Sequence, residues 1–121
     1  MVLAIRGATT SNGNSAEKIN ECTLQMMREI IKSNSLEEND VISIMFTATA
    51  DLDQLYPSVC VRKNIGWLNT PILNFEEKNI VNSLENCIRV LLHINSDKQK
   101  NMINHVYLKG AKKLRPDLLS K

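Results

Sequence analysis

The stretch Cys87-Ile88-Arg89-Val90-Leu91-Leu92-His93-Ile94 decides how this chain folds. Strand side chains alternate between faces, so Ile88, Val90, Leu92 and Ile94 form one wholly apolar row. Arg89 shares the opposite row with Cys87, Leu91 and His93, which is also too apolar for open water. A guanidinium held against such a surface is costly unless acceptors surround it. The stretch therefore predicts a buried strand whose arginine meets either a protein carboxylate or a bound anion.

Working outward, Val2 to Thr9 reads as an opening strand, with Val2, Ala4 and Arg6 on one face and Leu3 and Ile5 on the other. Thr10 to Asn14 is loop chemistry, and Asn14 with Glu17 three residues on resembles a helix cap. The helix then predicted runs to about Lys32. Its stripe of Ile19, Cys22, Met26 and Ile30, joined by Thr23, Met27 and Ile31, has the spacing that packs on a sheet.

Val41 to Thr49 is the clearest strand, with Ile42, Ile44, Phe46 and Ala48 on one face. A short helix should start near Pro57 and stop at Gly66. A brief strand at Ile72-Leu73, a polar loop from Asn74 to Asn79 and a last strand around His105 to Leu108 complete the pattern, while Lys109 onward reads as a basic, mobile tail. The order predicts one α+β domain over residues 1–121, a mixed sheet covered by helices.

Composition narrows the function. At 121 residues the chain can build one core but encloses a deep pocket poorly on its own, so a site shared between subunits is plausible. Fifteen Lys plus Arg against thirteen Asp plus Glu give a charge of +2, too balanced to announce nucleic acid or a membrane as partner. The three cysteines, Cys22, Cys60 and Cys87, are odd in number and set in apolar patterns, which suits free thiols in a reducing cytoplasm. Met1 to Ile5 is far too short for a signal peptide or a spanning helix.

The usual catalytic signatures are missing: no GxGxxG, GxxxxGK, HExxH or CxxC occurs, and His93 and His105 lie on separate strands, so neither metal nor nucleotide cofactor is expected. What remains is Arg6, Arg62, Arg89, Arg115 and Tyr107, with the acidic pair Glu76 and Glu77. Arginine suits carboxylate recognition because its planar fork donates two parallel charge-assisted hydrogen bonds. Taken alone, Arg62 and Arg115 read as solvated charges, the glutamates as a polar loop and Tyr107 as a strand aromatic. Arg6 and Arg89 are different, since both interrupt apolar strands.

Several stretches together resemble one family. Ile5-Arg6-Gly7-Ala8-Thr9-Thr10, Ala48-Thr49-Ala50-Asp51-Leu52, Tyr56-Pro57, Val61-Arg62, Gly66-Trp67, Cys87-Ile88-Arg89-Val90, His105-Val106-Tyr107-Leu108 and Leu114-Arg115-Pro116-Asp117-Leu118 are similar, in order, to the monofunctional trimeric chorismate mutases of the pseudo-α/β-barrel type. The resemblance implies a cytoplasmic homotrimer with a site at each subunit interface. It implies an isomerase of aromatic amino acid biosynthesis that rearranges chorismate to prephenate with no cofactor and no metal.

The resemblance also implies roles. Arg89 would donate to the ether oxygen and the enolpyruvyl carboxylate, and Arg6 and Tyr107 would bind that carboxylate. Glu77 would accept from the ring hydroxyl and face the positive charge developing on the ring. Tyr56, where the family commonly has phenylalanine, would form an apolar wall. Arg62 and Arg115 would raise the potential at the mouth, and Leu114 on the tail would partly cover it. Asn74 stands where relatives often carry cysteine, and Val59 where a lysine can line the entrance. Two other classes compete: a trimeric regulatory subunit that keeps the anion pocket without turnover, and a nucleic-acid module built on Lys109, Lys112, Lys113 and Arg115. The near-neutral charge and the few aromatics disfavour the second.

Overall fold

A computed structural model describes residues 1–114 and places five strands in one mixed sheet, in the order β3-β2-β4-β1-β5. The strands are β1 (Val2–Thr10), β2 (Val41–Ala48), β3 (Ile72–Glu76), β4 (Cys87–Asn95) and β5 (Val106–Tyr107), with one long helix, α1 (Ala16–Asn34), between β1 and β2. The central strand is β4, antiparallel to both β1 and β2, while β3 and β5 add parallel at the two edges. The stretch read as a buried strand is thus the one on which the others assemble.

Helix α1 covers one face of the sheet. Ile19, Cys22, Met26, Met27 and Ile30 are fully buried against Leu3 and Ile5 of β1, Ile88, Val90, Leu92 and Ile94 of β4, and Ile44 and Phe46 of β2. Each such side chain contributes roughly 1.5–3 kcal/mol by leaving water. Ser15, not Asn14, is the N-cap, its hydroxyl accepting from the Lys18 N–H at 3.1 Å. Asn14 and Asp53 instead exchange two hydrogen bonds, of 2.8 and 3.0 Å, that tie the loop before α1 to the loop after β2. The helix closes at Ser35, whose left-handed backbone directs its N–H to Ile31 and Lys32.

Three local readings need correction. A bulge between Val41 and Ser43 turns Ile42 out to 39 % exposure and gives its expected place in the core to Val41. Strand β3 continues through Asn74, Phe75 and Glu76, because parallel pairing with Phe46, Thr47 and Ala48 supplies backbone partners that their polar sequence does not advertise. Lys109–Leu114 form 3-10 turns rather than an open tail: the Gly110 N–H donates to Thr10 Oγ1 at 3.1 Å and Ala111 is fully buried. The segment after Pro57 winds into a π-helical turn, Val61–Ile65, and ends as expected at Gly66, whose φ is +83°.

Gly7 of β1 faces the side chains of α1. A Cβ there would stand 2.7 Å from Ile30 Cδ1 and 3.0 Å from Val90 Cγ1, both in the packed core. Gly7→Ala should therefore destabilise the fold by about 1–3 kcal/mol, the usual cost of overpacking. A lower urea midpoint with an unchanged slope would register it; an unchanged midpoint would mean that Ile30 repacks freely.

Candidate active site

The face of the sheet away from α1 carries Arg6, Arg89 and Tyr107 among the candidate residues. Alternation places Ala8, Tyr107, Arg89, Thr47 and Phe75 on that face, and the strand registers align them in a single row: Tyr107 beside Ala8, Ala8 beside Arg89, Arg89 beside Thr47, Thr47 beside Phe75. Arg6 lies one pleat along the same face, opposite Leu91, and is exposed. The sequence suggested two buried arginines, but the chain's helix covers only the other face. The outer part of the arginine-bearing face stays open, with Leu73 61 % and Phe75 48 % exposed.

Arg89 finds the carboxylate its setting demanded. Its Nε lies 2.7 Å from Glu77 Oε1, with the arginine side chain 39 % and the glutamate side chain 18 % exposed. The contact has ion-pair distance without hydrogen-bond alignment. Glu77 follows β3 directly: its N–H donates to the Ala48 carbonyl at 2.9 Å, and its Oε1 also accepts from Thr47 Oγ1 at 3.1 Å. Cys87, on the same row of β4, is fully buried, and burial pushes its thiol up although Arg89 pulls it down. A neutral thiol, not a competing thiolate, stands near the guanidinium.

At the other end of the row Tyr107 is 8 % exposed and packs with Ala8 and Ala111, flanked by Leu84 and Leu114. Its hydroxyl is buried with no hydrogen-bond partner among the described residues. A buried orphan hydroxyl is costly and marks a place where a ligand acceptor fits. The 3-10 turns bring Leu114 to this corner; Arg115, the remaining candidate on that segment, lies outside the described residues.

Tyr56, Val59 and Asn74 gather elsewhere. They line an open groove of about 500 Å³ together with Pro57, Phe75 and Glu76, at the edge strand β3. Tyr56 is 69 % exposed. Asn74 pairs with Phe46, so its side chain points to the α1 side, where it accepts from the Ser58 N–H at 3.2 Å and donates to Ser58 Oγ at 2.9 Å. Its amide braces the turn after Pro57. Arg62 belongs to the π-helical turn on that same side and is exposed.

The candidates thus fall into two half-sites: Arg6, Arg89 and Tyr107 with Glu77 on the face away from α1, and, at the edge of β3, a rim of exposed Tyr56 and Arg62 with half-buried Val59 and Asn74. Thr47, Leu84 and Ala8 also belong to the first half-site, and no sequence signal pointed to them. Thr47 sat on the mixed face of its strand, and its importance comes from a register with Arg89 that only pairing creates.

One face of the α+β sheet thus carries an arginine–glutamate pair and a buried tyrosine hydroxyl without a partner among the described residues, the make-up of a candidate site for a small anionic ligand. The sequence model for chorismate mutase type I matches residues 2–118. The chain is 36 % identical to the chorismate mutase AroH of Bacillus subtilis (strain 168) over 118 residues, covering 98 % of this chain and 93 % of the relative. It is 35 % identical to the chorismate mutase AroH of Thermus thermophilus over 121 residues, covering 99 % and 98 %. Among solved structures, a chorismate mutase from Clostridium thermocellum superposes with a TM-score of 0.89 at 48 % identity, over 92 % of this chain and 98 % of that one. The chain belongs to the chorismate mutase type I family.

Proposed function

We propose that this chain, an isomerase by its family, converts chorismate to prephenate by holding the flexible dianion in its compact reactive conformer and stabilising the charge that separates as the ether bond breaks. The reaction is an intramolecular rearrangement, so it requires neither a nucleophile nor a proton shuttle from the protein. The product feeds the branch toward phenylalanine and tyrosine.

The carrying observation is the row on the sheet face away from α1: a guanidinium, only partly engaged by Glu77, stands in line with a buried tyrosine hydroxyl that has no acceptor among the described residues. In this reading Arg89 donates to the ether oxygen and the enolpyruvyl carboxylate, Arg6 and Tyr107 hold that carboxylate, and Glu77 accepts from the ring hydroxyl beside the developing positive charge. Tyr56 walls the ring, Asn74 contributes through its backbone because its amide is engaged by Ser58, and Arg62 and Arg115 attract the dianion. Leu114 closes over the ligand. Lowering the barrier by about 8 kcal/mol through these effects accelerates the reaction roughly a millionfold.

The two half-sites belong on different subunits. A single chain presents them on different sides of the sheet edge, which argues for a homotrimer, in this reading a cytoplasmic one, whose interface covers Leu73 and Phe75 and brings one subunit's rim to its neighbour's arginine row. No helix among the described residues is long and apolar enough to cross a membrane.

Loss of chorismate absorbance with purified protein, with prephenate confirmed as product, is the direct test. Turnover should be unaffected by a metal chelator and need no added nucleotide. A folded trimer that binds a chorismate analogue but forms no prephenate would instead make it a binding subunit.

A further inference from the structure

We propose that Thr47 is a positioning residue that fixes the Glu77 carboxylate during the rearrangement. The inference rests on Glu77 facing the ring of chorismate. Thr47 and Arg89 are direct cross-strand partners, so their side chains rise side by side from the same face. Both reach the same atom: Thr47 Oγ1 donates to Glu77 Oε1 at 3.1 Å, and Arg89 Nε stands 2.7 Å from it. The other carboxylate oxygen, Oε2, takes part in neither contact and is the one available to a substrate hydroxyl.

Three features make the threonine the fixed point of this triad. Its χ1 is stiff because the side chain branches at Cβ, so the hydroxyl is aimed by the strand itself. The Glu77 backbone is anchored beside it by the N–H donated to Ala48 at 2.9 Å. Arg89 cannot serve as anchor, because its contact lacks hydrogen-bond alignment and its fork is the group that must meet the substrate.

Thr47 also keeps the pair from closing on itself. A free glutamate beside an arginine swings into the bidentate arrangement, two parallel hydrogen bonds to the fork. That arrangement would consume the donors needed at the ether oxygen in the transition state. Holding Oε1 at Nε leaves the outer donors open.

The test compares Thr47→Val, which keeps shape and β-branching but loses the hydroxyl, with Thr47→Ser, which keeps the hydroxyl. Thr47→Val should lower kcat about tenfold, the effect of one lost hydrogen bond to a charged group, with KM little changed. Thr47→Ala should fall with it, and Thr47→Ser should stay within about twofold of the parent protein. In a Glu77→Ala background, Thr47→Val should cost less than about twofold more, because no carboxylate remains to be positioned. Thr47→Ser falling as far as Thr47→Val, or the tenfold loss recurring in the Glu77→Ala background, would overturn the positioning role. Near-native kcat in Glu77→Ala itself would instead remove Glu77 from the mechanism and the inference with it.

Discussion

Replacing Arg89 by alanine should lower kcat by roughly a thousandfold or more while leaving the protein folded. The size follows from the role proposed for the side chain at the transition state: a charged donor aimed at an oxygen that gains negative charge in a largely desolvated site outweighs a neutral donor, whose removal alone costs about a hundred- to a thousandfold. The cost to the fold is small by comparison. The arginine side chain is 39 % exposed and makes one ion pair among the described residues, so its stability contribution is screened to about 1 kcal/mol or less. The apolar row that builds the core, Ile88, Val90, Leu92 and Ile94, lies on the other face and is untouched.

Arg89→Lys separates charge from geometry. A lysine keeps the positive charge but is a point donor that cannot serve the ether oxygen and the carboxylate at fixed angles together. Turnover in Arg89→Lys should still fall at least about a hundredfold, while a thermal melt stays close to that of the parent. High residual kcat in the lysine variant would mean that charge alone, and not the fork, provides the stabilisation. Near-native kcat in Arg89→Ala would remove the arginine from the mechanism.

Much of this was legible in the sequence wherever one rule acted alone. The period of two in β4 predicted its buried row, and the period of 3.6 in α1 predicted the stripe that meets it. The demand that Arg89 find a carboxylate or an anion was legible as well, since an arginine in an apolar row cannot be left alone; the carboxylate is Glu77. Its identity was not readable from spacing, because Glu77 reaches Arg89 through β3 and β2, and the register among three strands sets the distance.

The same limit hid Thr47 and the bulge at Ile42. Both depend on which residue a neighbouring strand presents, and a one-residue insertion in pairing exchanges the two faces of everything beyond it. Asn74 misled in the other direction. Its polarity suggested a loop, whereas its side chain replaces a missing backbone partner by bracing Ser58, so that a polar residue sits within a strand at the sheet edge. Resemblance to the family identified candidate residues without revealing that the chain divides them between two sides of the sheet edge.

That division carries the second large effect. If each site takes Arg89 from one subunit and Arg62 from its neighbour, two crippled proteins should rescue each other. Arg89→Ala subunits still offer an intact rim, and Arg62→Ala subunits still offer an intact arginine row. In a cyclic trimer every interface pairs the face of one subunit with the rim of the next, so every mixed trimer contains one interface where the intact row meets the intact rim. Assayed well below KM, where weakened capture by Arg62→Ala also shows, the co-refolded variants should exceed the sum of the parents, because each mixed trimer gains one site with both arginines and neither parent has any. Mixing folded trimers without subunit exchange should give only the sum. A site built within one chain predicts no rescue under either condition, since every subunit would carry its own defect. Co-refolded activity equal to the parental sum, with mixed trimers verified by mass, would place both half-sites on one subunit and require the two sides of its sheet edge to come together.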